Sequence, residues 1–296
     1  MALSFIATDQ LSDTPHVRRR VLITGAGGSI GSYMAEHEKD RYDYRLMVHG
    51  GDEEQTLRPL VEGTSNEIVT GDVTDLAQMK ELCDGIDTVV HLAADPSPNA
   101  TWDSLLPVNI VGTYNVFAAA KAAGCRRVIY ASSIHAVSGY PADQQVKTSD
   151  PVNPGDLYGV TKCFGEALAR YMAAQEGVQA VCIRIGAFQP EEKMDDAEAI
   201  SLMDCFVSRR DLVQLIGRCI DANEIEFAIV HGLSEGRFKR MDITTTRELL
   251  GYEPVDSFTR DAKSVAHLDL DEKVMSHNVS DGYAESGLRN EVEAAG

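Results

Sequence analysis

The chain has 296 residues, 44% of them hydrophobic and 25% charged, which suits one large α/β domain or two small ones with a true core. That balance excludes a collagen-like, coiled-coil or wholly disordered chain. The 46 acidic residues against 27 Lys and Arg leave a net charge of −19, so nucleic acid and anionic membranes are poor partners.

Residues 1–16 carry little pattern and read as a flexible leader. Arg18-Arg19-Arg20 follows with no apolar segment ending in a cleavage site, which implies a cytoplasmic protein. No apolar run reaches the roughly 18–20 residues needed to span a bilayer. The six cysteines lie far apart without a CxxC pair and read as reduced thiols, not as a disulfide framework or metal site.

From Val21 onward short aliphatic runs alternate with longer amphipathic stretches. Strands are predicted at 21–24, 45–48, 67–70, 88–92, 127–132 and 179–185. Each is nearly continuous in aliphatics, as parallel strands covered on both faces should be. Helices are predicted between them at 29–39, 76–83, 107–123 and 157–176. Such alternation means βαβ units, hence an α/β fold with a Rossmann-type doubly wound parallel sheet, assigned to 17–254. After Gly186 the rhythm loosens into an acidic loop at 190–199, a helix at 208–222, a strand at 227–231 and a short helix at 242–250. Residues 187–254 are therefore assigned to a small C-terminal substrate cap. Beyond 254 aromatics and β-branched residues thin out while acids persist, so 255–296 reads as an acidic, disordered or loosely docked tail.

Two stretches carry chemistry. The first is Gly25-Ala-Gly-Gly28-Ser-Ile-Gly31, with glycines at GxxGxxG spacing between the first strand and the first helix. Gly25 permits the turn, Gly28 a close approach to a pyrophosphate, and Gly31 the packing of helix on strand. Backbone N–H groups at Ser29 and Ile30 and the positive helix end then hold the anion. An acid at the end of the second strand normally takes the adenosine ribose. Here that position is His49, and the nearest acids are Asp52, Glu53 and Glu54. Three acids in a row would repel a 2′-phosphate, which favours NAD over NADP without excluding NADP.

The second is Tyr158-Gly-Val-Thr-Lys162, a phenol and an ammonium four residues apart on one helix face. Ser132-Ser133 ends the fifth strand nearby in the fold. A phenol is a poor base at neutral pH. Lys162 beside it, with the positive nicotinamide, would favour phenolate, while a serine hydroxyl orients the reacting oxygen.

Together these pieces resemble an extended-type short-chain dehydrogenase/reductase of the NAD-dependent epimerase/dehydratase superfamily, over roughly 21–251. The matching segments are Thr24 to Gly31, Gly71-Asp72-Val73-Thr-Asp75, His91-Leu92-Ala93-Ala94, Asn109, Ser132-Ser133 and Tyr158 to Lys162. The resemblance implies that Asp72 and Val73 approach the adenine, and that Leu92, Ala93, Ala94 and Ile185 line the cofactor. It implies that Asn109 supports a helix bend and a proton relay, and that Ser133, Tyr158 and Lys162 carry catalysis. It also implies a homo-oligomer, a dimer or larger, joined through the helices of Asn109 and Tyr158. Ala118, Ala119, Ala122, Ala167 and Ala169 would suit close helix approach there, or packing against the sheet.

Ala131-Ser-Ser-Ile134-His135, Asp156 to Glu166 and Ile183-Arg-Ile-Gly186 are similar to uronate dehydrogenases and related NAD-dependent aldose dehydrogenases. That likeness implies a sugar or sugar-acid substrate touched by Ser97, Ser133, Ile134, His135, Tyr158 and Ala187. Two departures stand out. Ile134 replaces a family asparagine. Ala187 replaces a serine, and no arginine lies between Arg184 and Arg209 to grip a carboxylate. Lys193, Arg209 and Arg210 are the cations within sequence reach. The expected reaction is oxidation of the C1 hydroxyl of a cyclic uronate or aldose to a lactone. The rivals are a nucleotide-sugar epimerase or dehydratase with retained NAD, disfavoured by the small cap, and a non-catalytic dinucleotide sensor.

Overall fold

The structure, a computed structural model, describes residues 18–270, so the expected leader at 1–16 lies outside the described residues. The aliphatic runs pair as buried parallel strands should. β1 (Arg20–Thr24), β2 (Asp43–Val48), β3 (Glu67–Thr70), β4 (Thr88–His91), β5 (Arg127–Ser133) and β6 (Gln179–Ile185) match the predicted strands within two residues. The seven-stranded parallel sheet has the order β3-β2-β1-β4-β5-β6, closed at one edge by the late strand Phe227–Gly232. The order reverses between β1 and β4. The crevice beyond their C-terminal ends is where an open α/β sheet takes its ligand.

Helices cover both faces. α1 (Ser29–His37) follows β1, and α2 (Gly51–Val61) follows β2. The second was not foreseen: its first turn is Asp52, Glu53 and Glu54, Pro59 sits near its end, and Leu57 is its one buried residue. α3 (Leu76–Leu82) is started by Asp75, whose carboxylate accepts from the N–H groups of Ala77 and Gln78. The helix predicted at 107–123 is α4 (Trp102–Leu105), a π-helical stretch Leu106–Gly112 and α5 (Thr113–Ala123) in one run. α6 (Leu157–Glu176) matches its prediction, capped by Asp156 at one end and by left-handed Gly177 at the other. Ala119 and Ala169 are fully buried in the core under the sheet, while Ala122 and Ala167 face solvent.

After β6 comes a two-stranded parallel sheet, β7 (Ala187–Gln189) with β8 (Phe206–Ser208), spanning the segment expected as an acidic loop. α7 (Arg209–Asp221), β9 (Phe227–Gly232) and α8 (Thr244–Leu250) follow close to their predicted places. The tail boundary needs correction. α9 (Phe258–Asp261) and α10 (Lys263–Ala266) bury Phe258, Ala262 and Val265 against Met194, Ala199 and Phe206. Asp211 ties this segment down by accepting from the N–H groups of Val255 and Asp256. Only residues 271–296 of the expected tail lie outside the described residues. No helix among the described residues is long and apolar enough to cross a membrane.

Two histidines are buried neutral. His91 lies between Thr24 Oγ1 at 2.8 Å and Thr113 Oγ1 at 3.2 Å, and burial pushes its pKa down to about 3. His231 faces the Asp242 carbonyl at 2.8 Å and is pushed down to about 4, again mainly by burial. The unfolded chain protonates both near their ordinary value, so below pH ~6.5 it binds more protons than the folded one. Stability must therefore fall on acidification, by about 2.7 kcal/mol per pH unit for the pair between roughly pH 4 and 6. Urea denaturation at stepped pH should show this slope, and His91→Asn should remove about half of it. An unchanged slope in that variant would assign the protons to other groups.

Candidate active site

The glycine loop behaves as its spacing demands. Gly25 has φ +69°, and a Cβ there would meet Ala93 backbone at 2.9 Å. A Cβ at Gly31 would meet the Ala26 backbone at 2.6 Å, so the helix packs this closely on the loop after β1 only because Gly31 lacks one. α1 begins at Gly28 without a side-chain cap. The first-turn N–H groups are thus left to a ligand, and the loop fits an anionic dinucleotide.

A cavity of about 610 Å³ opens over this loop and runs along the C-terminal ends of β1, β4, β5 and β6. Its cofactor side holds Gly25, Gly28, Ser29, Ile30 and Gly31, all anticipated. Leu92, Ala93, Ala94 and Ile185 form the wall, as anticipated. Farther along lie Ser133, Ile134, His135, Tyr158, Lys162 and Ala187. The sequence reading did not place Glu53, Pro96, Phe188, Leu202 and Cys205 in the site; they line the cavity with Ala131, Ser132 and Gly186.

Tyr158 and Lys162 project from α6 toward the end of β5. The Tyr158 ring stands edge-on to His135 with centroids 5.3 Å apart. Burial holds the phenol above its ordinary pKa; the neighbouring Ser133 hydroxyl works against that, and the charges of Asp156 and Asp95 reinforce it. Lys162 Nζ donates to the Ala131 carbonyl at 2.8 Å and lies 5.4 Å from the Tyr158 ring centre. Burial pushes the ammonium pKa down to about 7. Desolvation is the largest influence on both groups.

Several neighbours set this geometry. Asp156 has two roles that sequence reading did not give it. One carboxylate oxygen accepts from Gly159 N–H at 2.7 Å to start α6, and the other meets His135 Nδ1 at 2.6 Å. Beside an ionised carboxylate Nδ1 carries the hydrogen, which leaves Nε2 as the acceptor of the ring. Gly159 has a reason too: a Cβ there would sit 2.3 Å from the His135 carbonyl oxygen. Ser132, the other half of the serine doublet, donates to Glu166 Oε1 at 2.6 Å. Glu166 also receives a two-pronged pair from Arg184 at 2.9 Å, fully buried between α6 and β6. That pair locks the helix of Tyr158 to the sheet, and it commits Ser132 to structure.

Five anticipated residues do not line the cavity. Asn109 is buried in the π-helical bend, as the bend expectation required. Its oxygen accepts from Asp95 N–H at 2.8 Å, and its two amide hydrogens go to the Asp95 carbonyl and Thr161 Oγ1. Its side chain thus joins the bend to the helix of Tyr158. Ser97 accepts from Asn99 N–H within its own loop, and Pro96 reaches the cavity in its place. Asp72 accepts from Thr74 N–H at 2.8 Å in a turn, which holds its carboxyl below the usual range. Val73 packs on Gly112, and His49 stands exposed at the strand end.

Glu53 takes the position that His49 vacates. Its carboxylate accepts from His49 N–H at 2.8 Å, and its side chain lies across Gly27. A Cβ at Gly27 would meet Glu53 carbons at 2.6–2.7 Å. The acid thus returns to the glycine loop from the first turn of α2. A second groove, of about 490 Å³ between Arg170 and Phe227, gathers none of these groups.

The cations within sequence reach are engaged elsewhere. Lys193 pairs with Asp196 at 2.5 Å. Arg209 pairs with Glu191 at 2.8 Å and Glu192 at 3.2 Å and covers the Tyr33 ring. Arg210 pairs with Asp256.

Comparison with known proteins agrees with this geometry. Residues 21–204 match the model of the NAD dependent epimerase/dehydratase family. The chain is 34% identical over 249 residues to the NAD-dependent glucose-6-phosphate dehydrogenase of Haloferax volcanii, covering 80% of this chain and 93% of that one. It is 35% identical over 257 residues to the L-arabinose 1-dehydrogenase (NAD(P)(+)) of the same organism, covering 80% and 97%. Among solved structures, the glucuronic acid dehydrogenase of Chromohalobacter salexigens superposes with a TM-score of 0.72 at 28% identity, covering 89% of this chain and 92% of that one.

Proposed function

Since the chain belongs to the NAD dependent epimerase/dehydratase family, we propose that it is an NAD-dependent dehydrogenase oxidising the anomeric C1 hydroxyl of a cyclic aldose or uronate to the lactone. The observation that carries this reading is the meeting of Ser133, Tyr158 and Lys162 at the mouth of an uncapped glycine loop. NAD, when bound, supplies the acceptor for the C1 hydride. Tyr158 as phenolate takes the C1 hydroxyl proton while the C–O bond becomes C=O and the hydride leaves with both electrons. Ser133 holds the reacting oxygen. Lys162, when protonated, would place positive charge beside Tyr158 and so favour phenolate, and with Gly25 to Gly31 it would help hold the cofactor. Holding both reactants in one cavity supplies much of the acceleration.

Glu53 is the residue we assign to the adenosine ribose. It takes over the ribose contact expected of His49, and its charge opposes a 2′-phosphate. A homodimer is also proposed. Trp102, Tyr114, Leu157, Val160 and Tyr171 form an exposed apolar face along α4, α5 and α6 that a second copy would cover. A cytoplasmic location accords with the free cysteines.

The test is NADH absorbance with NAD and a sugar panel, followed by analysis of the product. One NADH per sugar, with lactone or aldonic acid formed, is expected. Sugar converted without net NADH would replace this reading by an epimerase or dehydratase, which returns its hydride within a turnover. NAD binding without turnover on any sugar would leave a dinucleotide-binding protein.

A further inference from the structure

The substrate end of the cavity carries a second message. Beyond Tyr158 and Ser133 its walls are Pro96, Ile134, Ala187, Phe188, Leu202 and Cys205, none of them charged. Lys162 is the one Lys or Arg lining the whole cavity among the described residues. Its ammonium is turned into the Ala131 carbonyl beneath Tyr158, on the catalytic side. Of the cap's cations, Lys193 is held by Asp196, Arg209 by Glu191 and Glu192, Arg210 by Asp256 and Lys263 by Asp195, while Arg240 donates to the Tyr140 carbonyl. Asp156 and Asp95 add negative charge to the surroundings of the phenol.

We propose that the sugar oxidised here is an uncharged aldose, not a uronate or a sugar phosphate. The inference rests on the dehydrogenase reading above and narrows it. A carboxylate or phosphate entering the substrate end of this cavity would leave water without gaining a Lys or Arg from its wall. An ion buried unpaired is strongly disfavoured. A neutral sugar meets no such cost. Its hydroxyls find Ser133, Tyr158 and His135 Nε2, while its C–H faces lie against Ile134, Ala187 and the Phe188 ring. The remaining wall, Pro96, Leu202 and Cys205, offers no cation to a C6 carboxylate.

Initial rates with saturating NAD test this on the full-length protein. The panel is L-arabinose, D-xylose, D-galactose and D-glucose against D-galacturonate, D-glucuronate and D-glucose 6-phosphate. The expected result is a kcat/KM for the best neutral sugar at least about 100-fold above that of every anionic one. An anionic sugar used as well as the best neutral sugar overturns the inference and leaves the dehydrogenase reading intact, because NADH still forms. No NADH from any sugar, with NAD binding retained, sinks the dehydrogenase reading itself and this inference with it. Leu202→Arg supplies the absent charge on the half-buried wall. It should raise kcat/KM for galacturonate relative to the best neutral sugar by about tenfold or more. A ratio left unmoved in an otherwise active variant would contradict the proposed cause of selectivity.

Discussion

Tyr158→Phe should lower kcat by about 10²–10⁴-fold while NAD affinity stays close to that of the parent. The substitution keeps the ring, and with it the edge-on contact with His135 and the packing near Lys162. It removes only the oxygen that neighbours Ser133 and that would take the substrate proton. Burial holds this phenol above its ordinary value, so its phenolate is scarce at neutral pH. The active fraction then grows about tenfold per pH unit until the phenol titrates, and kcat/KM should climb toward alkaline pH. Lys162 complicates the climb in an informative way. Its ammonium is already weakened to about 7 by burial, so alkaline pH also removes the charge that would favour phenolate. A rising limb that flattens early, and that is absent from the residual rate of Tyr158→Phe, is the expected profile. If the variant instead keeps most of its turnover, the base lies elsewhere, with His135 as the nearest candidate. Equilibrium binding of NAD, followed separately, distinguishes a lost base from a damaged cofactor site.

What could be seen in the sequence was whatever depends on neighbours along the chain. A strand buried on both faces must be aliphatic throughout, so the runs around Val21, Val89 and Val181 declared themselves. A turn that admits no Cβ must be glycine, so Gly25 and Gly31 did as well. The pair Tyr158 and Lys162 is fixed by helical spacing alone. Residues that reach the site by folding back left no such mark. Asp156 looks like a helix cap, and it is one; its hold on His135 exists only because β5 ends beside α6. The segment 187–254 was read incompletely for another reason. Its strands, Ala187–Gln189 and Phe206–Ser208, are three residues each, too short for any periodicity. The helices after Pro254 did leave a signal that composition masked. Phe258, Ala262 and Val265 fall at helical spacing behind Ser257, whose hydroxyl caps α9, within a stretch otherwise rich in charge.

Glu53→Gln should raise KM for NAD by about tenfold, leave kcat with NAD little changed, and narrow the preference for NAD over NADP by at least about tenfold. The reasoning begins with where the carboxylate sits. It hangs over Gly27 from the first turn of α2 and is anchored by the His49 N–H, which occupies one lone pair and leaves others for ribose hydroxyls. Gln keeps the length and an oxygen for His49, so the loop should hold its shape. The charge is what disappears. A hydrogen bond from a hydroxyl to a carboxylate is about twice as strong as one to an amide. The same charge meeting a phosphate at about 4 Å is repelled by roughly 1–4 kcal/mol per unit charge, depending on how much water intervenes. Losing it therefore weakens NAD and readmits NADP together, a double signature that loss of folding does not produce. A different outcome is equally readable. The acid also lies close to where a pyrophosphate would meet the loop, and an anion there could compete with the cofactor. In that case Glu53→Gln would lower KM for both dinucleotides and leave their ratio alone. His49→Asp separates the two further. If Glu53 serves the ribose because the strand end has no acid, restoring one in the Glu53→Gln background should recover the lost NAD affinity; if Glu53 only obstructs, it should not.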